Sequence, residues 1–399
     1  MNIVIVGTGY VGLVSGVGFA EQGHQVSFID LDINKIQKLK DKQLPFFEPD
    51  LDSYFEKEEN FNRMSFHSNY KSLDWQSTDI VFICVQTPNN FETNSVDTKF
   101  LESAILEISK LENKNITITV KSTIPPYEIE NVCENVGYDK NLLTFNPEFL
   151  REGSAVNDFF NPDRIVIGGL SSEKIDKLRK LYDGYDAEVV ITDPISSQLI
   201  KYLANTYLPL RLSFVNEATR LSEYSGANLT DVLKGVGLDS RIGSHYFRPS
   251  PSWGGSCFPK DLVEVNNFYN HDDLKLPLIS NIIDSNQEHL QWTINQLLSL
   301  KKNNSLKRIV LVGAAFKEDT DDLRNSPTLD IYNILNQMGE DVMILDTEIE
   351  VPNYQSLKQV NEVPSNSLLS IMYPLKEELH MNISNYANDN KCIIYYPWG

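Results

Sequence analysis

Paired cysteines are missing from this 399-residue chain: its four, Cys84, Cys133, Cys257 and Cys392, are scattered and form no C-x-x-C. Neither a disulfide framework nor a cysteine zinc site is indicated. The six histidines make no H-E-x-x-H or similar spacing, so no metal is expected. Basic charge is short too, with 35 Lys and Arg against 55 Asp and Glu, a net charge of −20. That balance disfavours nucleic acid and anionic membranes, and an anionic ligand would need a local basic pocket. No apolar run reaches the ~20 residues of a membrane helix. Met1 leads straight into NIVIVG, without the charged and apolar regions of a secretory leader. A reducing, cytoplasmic setting follows. The length suits two or three domains, large enough to hold their cores without staples.

What is present begins with NIVIVGTGYVGLVSGVGFAEQGHQVSFID. A β-branched strand at 3–6 meets Gly7, Gly9 and Gly12 in a G-x-G-x-x-G turn. A helix over 11–22 follows, and a second strand ends in Asp30, 18 residues after Gly12. Gly7 permits the turn, Gly9 lets backbone approach a pyrophosphate, and Gly12 lets helix and strand pack closely. The helix N-terminus offers N–H groups to phosphates. Asp30 suits ribose hydroxyls and repels a 2′-phosphate, which favours NAD over NADP. The alternative is a glycine-rich turn without a ligand. Further strands at 79–85, 115–121, 142–146 and 164–169 alternate with helices and predict a largely parallel sheet. The loops at their carboxyl ends, 86–90, 122–126 and 146–155, are where such folds hold ligands.

Asp193-Pro194 predicts the cap and first residue of a long helix reaching Gly226, kinked or broken at Pro209. Lys201 and Asn205 share one face of it, with apolar neighbours that suggest burial. Next comes GGSCFPKD, 254–261. Pro259 can open a helix with Cys257 at its N-terminus, where the dipole and Lys260 favour the thiolate. Gly254 and Gly255 leave room for a substrate. This marks Cys257 as a reacting thiol, while Cys84 in a core strand, Cys133 in a helix and Cys392 in a terminal strand read as structural. The last third repeats a strand at 308–312, Gly313, a helix from about Ser326 and a strand ending at Asp346. Its loop carries Lys317 and Arg324, placed either for a phosphorylated ligand or for salt bridges to Glu318, Asp319, Asp321 and Asp322. The expected fold is α/β, with two Rossmann-like parallel-sheet domains joined by a long central helix and a small helical middle domain. The boundaries fall at 1–193, 194–297 and 298–399. Two nucleotides would then meet with the thiol between them.

The blocks GTGYVGL, TP (87–88), KSTIPP, NPEFLREGSA, PDRIVIGG, KYLANTYL, RIGSHYFRPS, GGSCFPKD and AFKEDTDDLRNSPTLDIYNIL occur in this order across nearly the whole chain. In these the chain resembles the UDP-glucose 6-dehydrogenase family of nucleotide-sugar dehydrogenases. The resemblance implies an NAD-binding domain, a helical middle that forms a homodimer, and a UDP-binding domain. It implies oxidation of the sugar C6 alcohol to a carboxylate by two NAD and one water, through a thiohemiacetal and a thioester on Cys257. Lys201 and Asn205 would stabilise the C6 oxyanion, Asp261 would move protons, and Glu148 and Thr123 would hold the hydrolytic water. NAD would contact Gly7, Gly9, Tyr10, Val11, Gly12, Asp30, Lys35, Thr87, Pro88, Ser122, Thr123, Glu152, Lys260 and Arg324. UDP-glucose would lie against Glu148, Phe149, Leu150, Arg151, Lys201, Asn205, Tyr246, Phe247, Ser250, Trp253, Gly254 and Lys317. Arg241 would reach a neighbouring subunit's site.

The chain departs from that family pattern in the 86–94 loop, at Trp253 and Pro209, and in ending CIIYYPWG without an arginine. Two other readings therefore stand beside UDP-glucose oxidation. One is a GDP-mannose or UDP-N-acetylhexosamine dehydrogenase of the same superfamily. The other is a catalytically silent nucleotide-sugar-binding protein.

Overall fold

The computed structural model describes residues 1–90, 95–111, 115–270 and 274–398. It divides into two compact units, Met1–Ala204 and Asn205–Gly399. The first is built on eight strands: β1 (Asn2–Val6), β2 (Gln25–Ile29), β3 (Met64–His67), β4 (Ile80–Ile83), β5 (Thr117–Val120), β6 (Leu143–Phe145), β7 (Arg164–Gly169) and β8 (Glu188–Thr192). They lie in the order β8-β7-β6-β5-β4-β1-β2-β3. All neighbours are parallel except β6 and β7, which pair antiparallel through Thr144 with Gly169 and Phe145 with Gly168.

The central strands are buried on both faces, so they read as unbroken apolar runs. Alternation decides which core each residue joins. Ile3 and Ile5 of β1 pack with Phe19, Phe28 and Phe82. Val4 and Val6 pack on the other face with Ile83, Ile105 and Ile118. Helix α1 (Tyr10–Glu21) starts one residue earlier than the spacing predicts. Gly7 has φ +98, and a Cβ on Gly12 would fall 2.0 Å from the Gly7 carbonyl oxygen. Both are therefore confined to glycine by the turn itself. A Cβ on Gly9 would meet nothing within 4 Å, so the space above it is open.

Helix α2 (Ala155–Phe160) follows the 146–155 loop. Helix α3 (Pro194–Ser225) begins as expected: Asp193 Oδ1 accepts from Ser196 N at 2.9 Å and its Oδ2 from Ser196 Oγ at 2.6 Å. Of the kink or break expected at Pro209, no break occurs: one helix of 32 residues runs through it. Proline removes a single i to i−4 bond, here the one to Asn205 O. The remaining turns carry the helix across that gap.

The second unit contains α4 (Phe258–Asn270), α5 (Pro277–Asn303) and a five-stranded sheet. The sheet comprises β9 (Arg308–Val312), β10 (Val342–Leu345), β11 (Ser356–Leu357), β12 (Ser367–Ile371) and β13 (Ile393–Tyr395), ordered β11-β10-β9-β12-β13. Every pair is parallel. Helix α6 (Pro327–Gln337) follows β9 after a long loop. The turn after β9 copies the turn after β1. Gly313 N donates to Leu345 O at 2.9 Å and Ala314 N to Asp346 Oδ2 at 2.9 Å. In the first unit Gly7 N donates to Ile29 O at 2.8 Å and Thr8 N to Asp30 Oδ2 at 2.9 Å. Among the described residues no helix is long and apolar enough to cross a membrane.

Two glycine substitutions test the packing of the first unit against an open position. A Cβ on Gly18 would lie 2.1 Å from the Phe159 ring, which is itself wedged against Phe19 and Phe160. Gly18→Ala should destabilise by about 1–3 kcal/mol. Gly235 has open space around its Cβ position and lies inside a helix, so Gly235→Ala should stabilise by about 0.5–1 kcal/mol. Urea unfolding midpoints should move in opposite directions.

Candidate functional site

In the first unit the residues expected around a dinucleotide gather at the carboxyl ends of β1, β2, β4 and β5. Asp30 accepts from Thr8 N, from Thr8 Oγ1 at 2.7 Å, from Asp32 N at 3.0 Å and from Lys35 Nζ at 3.3 Å. Burial pushes its carboxyl up, but these bonds outweigh burial and hold it below its ordinary value. Lys35 therefore stands at the acid it was expected to accompany. Tyr10 and Val11 open α1. Thr87 and Ser122 are buried: Thr87 Oγ1 donates to Thr123 O at 2.8 Å and Ser122 Oγ to Val85 O at 2.6 Å. Pro88 is exposed beside them, and residues 91–94 of the same loop lie outside the described residues. Open space above Gly9 and a carboxylate at Asp30 fit a pyrophosphate and a ribose. Glu152 is half-buried in the loop before α2.

The same unit pairs Glu148 with Lys201. Their atoms lie 2.8 Å apart, and both side chains are less than a tenth exposed. Glu148 Oε2 also accepts from Leu150 N at 2.7 Å. A buried carboxylate and a buried ammonium offset each other's desolvation. The Phe149 ring lies 3.7 Å from the Arg164 guanidinium carbon and 5.5 Å from Lys201 Nζ. Arg151 turns to Asp158 on α2, with Nε to Oδ2 at 2.9 Å and Nη2 to Oδ1 at 2.5 Å.

In the second unit Cys257 is exposed, and its carbonyl accepts the first helical bond of α4 from Asp261 N at 2.9 Å. Cys257 thus stands at the N-terminus of α4, as the Pro259 spacing predicts. Behind it Asp261 is almost wholly buried. Asn205 Nδ2 donates to Asp261 Oδ2 at 2.6 Å, and Lys260 Nζ lies 2.7 Å from Oδ1 and 3.1 Å from Glu264 Oε1. Burial lowers the Lys260 ammonium, but Asp261 and Glu264 overcome it and hold the pKa above the ordinary value. The sequence expectation set Lys260 beside the thiol as a stabilising charge. The structure matches that charge with two carboxylates.

The segment before the thiol is stapled by α3 and α5. Asn216 Oδ1 accepts from Ser250 N at 3.0 Å, His289 Nε2 meets Ser250 O at 2.8 Å, and Asn286 bonds both Trp253 N and Trp253 O at 2.9 Å. The Trp253 indole donates to Ser213 Oγ at 2.9 Å. Tyr246 sits at φ +54, and Arg211 lies over the Phe247 ring at 5.1 Å. Arg241 is well exposed and paired with Asp239 at 2.6 Å. Arg324 pairs with Asp322 at 2.6 Å, the salt-bridge alternative, while Lys317 lies 5.7 Å from the Phe316 ring.

One expectation fails outright. Gly254 and Gly255 do not hold space for a ligand. A Cβ on Gly254 would fall 1.9 Å from Asn325 O, and one on Gly255 would fall 2.8 Å from the Phe316 ring. Packing against the loop after β9 fills that space. Cys84 and Cys392 also lie one residue outside the strands expected for them.

Sequence reasoning passed over several residues. Glu48 is buried and accepts from Gly153 N at 2.7 Å, from Ala155 N at 2.6 Å and from the Tyr10 hydroxyl. It ties the glycine loop to the 146–155 loop. Burial and then Glu48 raise the Tyr10 phenol far above its ordinary value. Lys121 is buried and donates to Asn146 Oδ1 at 2.9 Å. Its pKa is lowered, by burial above all. The signals were an acid between aromatic residues and a proline in FFEPD and a lysine ending an apolar strand. Glu264 was visible as the i+4 partner of Lys260.

Burial separates the cysteines chemically. It pushes the Cys84 thiol up to about 12 and Cys133 up to about 11, so both stay protonated at neutral pH. Brief iodoacetamide treatment at pH 7.5, read by peptide mass spectrometry, should therefore alkylate Cys257 well before Cys84 and Cys133.

Comparison with known proteins agrees with this geometry. Models of the UDP-glucose/GDP-mannose dehydrogenase family match in order: its NAD binding domain over residues 1–186, its central domain over 195–288 and its UDP binding domain over 310–378. A UDP-glucose 6-dehydrogenase of Rickettsia felis is 39% identical over 351 residues, 86% of this chain and 77% of that protein. UDP-glucose 6-dehydrogenase TuaD of Bacillus subtilis is 35% identical over 362 residues, 89% of this chain and 78% of its own length. Among solved structures, a UDP-glucose dehydrogenase from Pyrobaculum islandicum is 29% identical with a TM-score of 0.83, covering 93% of this chain and 89% of that one. With three successive matches and such relatives, the chain belongs to the UDP-glucose/GDP-mannose dehydrogenase family.

Proposed function

We propose that the protein oxidises the C6 hydroxyl of UDP-glucose to a carboxylate with NAD, and that Cys257 carries the covalent intermediates. The observation that carries this reading is an exposed cysteine at the N-terminus of α4, one turn before Asp261 of the Asn205–Asp261–Lys260–Glu264 cluster. The relatives named UDP-glucose 6-dehydrogenase support the choice of sugar.

NAD takes up the hydride of each oxidation when bound. Gly7, Gly9, Tyr10, Val11, Gly12, Asp30, Lys35, Thr87, Pro88, Ser122, Thr123 and Glu152 would hold it, with Lys260 and Arg324. The Asn205 amide and the Lys201 ammonium steady negative charge on the C6 oxygen. The Cys257 sulfur adds to the aldehyde carbon, forming a C–S bond, so the aldehyde stays on the protein as a thiohemiacetal. Loss of two further electrons turns that adduct into a thioester. Glu148 and Thr123 hold a water, Asp261 receives a proton, and attack of the water breaks the C–S bond. Carboxylate leaves and the thiol is restored. Phe149, Leu150, Arg151, Tyr246, Phe247, Ser250, Trp253 and Lys317 would surround the nucleotide sugar.

The division into 1–193, 194–297 and 298–399 belongs to this reading, with the middle segment as a homodimer contact. Tyr207, Phe214 and Leu221 support it: they recur every seven residues on α3 and are all exposed. Arg241 would reach across to a partner's site. The reaction belongs in the cytoplasm, where unpaired cysteines stay reduced.

Three expected outcomes test the scheme. Limiting UDP-glucose with excess NAD should yield two NADH per sugar by absorbance, and a yield of one would overturn the four-electron route. In a panel with GDP-mannose and UDP-N-acetylhexosamines, UDP-glucose should turn over fastest. Cys257→Ser should lower kcat by about 10³-fold or more while UDP-glucose still binds by calorimetry.

A further inference from the structure

The two glycines before the thiol pose a question once their ligand role is removed. Asn325 supplies the answer. It sits at φ +49, a backbone region that asparagine tolerates. Its carbonyl oxygen takes the place of a Gly254 side chain, and it accepts from Gly255 N at 3.4 Å. Its side-chain Nδ2 donates to Gly255 O at 3.0 Å. One residue thus bonds both backbone groups of Gly255, two positions ahead of the sulfur.

The loop that carries Asn325 is itself anchored. Ser326 Oγ donates to Ala314 O at 2.6 Å, and Thr328 Oγ1 donates to Gly313 O at 2.8 Å. Phe316 from this loop lies under Gly255, and Glu318 bonds Arg248 at 3.0 Å. Three contacts therefore seat the thiol segment on the first loop of the second sheet. The same loop carries Lys317 and Arg324, the latter adjacent to Asn325 in sequence.

We propose that Asn325 is a positioning residue for the nucleophile: its clamp on Gly255 holds Cys257 at the N-terminus of α4 and registers the thiol to the loop bearing Lys317 and Arg324. This deepens the proposed function and rests on it for its catalytic consequence. The loop then has two tasks, presenting Lys317 to a diphosphate and setting the sulfur a fixed number of bonds away. A sugar held through its diphosphate meets a thiol already in register.

Two variants test it, each checked for folding by thermal melting. Asn325→Asp keeps shape and backbone tolerance but loses the donor and sets a carboxylate against Gly255 O. Asn325→Gly keeps the backbone and removes the side chain. Both should lower kcat by about 10- to 100-fold while the KM for NAD stays within about twofold. Both should also slow alkylation of Cys257 by iodoacetamide at pH 7.5 by about threefold or more, because a sulfur off the helix terminus loses thiolate character. Unchanged kcat and alkylation in both variants would overturn the proposal, as would lost turnover with unchanged alkylation. If the unsubstituted protein fails to oxidise UDP-glucose yet the variants still alter alkylation, the sugar reading falls and the clamp stands.

Discussion

A charge taken out of water must be matched, and in this protein that constraint shapes the chemistry-bearing surfaces of both units. The chain is strongly acidic overall, yet its buried acids are not left to repel one another. Glu148 meets Lys201, and Asp261 and Glu264 share Lys260. Glu48 spends its oxygens on backbone N–H groups and a phenol. Each pairing also fixes a loop. Removing one partner would leave the other charge buried without an equivalent, which is why these side chains act as struts as much as reactive groups.

The parallel sheets supply the rigid frame. Strands buried on both faces end abruptly at polar loops, and the side chains of interest stand at those ends. In the first unit the 146–155 loop is pinned by Glu48 from one side and by Lys121 through Asn146 from below. In the second, α3 and α5 hold the segment before the thiol through Asn216, Asn286 and His289. Precision at the sulfur is therefore built from helices and a sheet, not from the loop's own conformation.

Much of this was legible in the amino-acid order. G-x-G-x-x-G before a helix, with an acid closing the next strand, has one economical geometry, and residues 7–30 adopt it. Pro259 marked the start of α4 because proline suits the first turn and cannot donate further in. Long-range packing was not legible. Gly254 and Gly255 carry the same letters whether a ligand or a neighbouring loop fills the space, and the neighbour, Asn325, lies 70 residues away. Pro209 left a break open beside a kink because local preference cannot see how much a 32-residue helix gains elsewhere. Glu48 went unnoticed because two of its partners are backbone groups about a hundred residues distant and the third is a phenol on another element.

The acid at the end of β2 has a consequence for anyone wishing to redesign the nucleotide preference. Asp30 latches the glycine turn through Thr8, and Asp346 latches the corresponding turn of the other sheet in the same way through Ala314. The carboxylate is therefore an architectural bolt before it is a discriminator between ribose and its phosphorylated form. Exchanging it for a neutral residue would loosen the very turn meant to receive the altered nucleotide, so a specificity swap must first supply a substitute acceptor for Thr8.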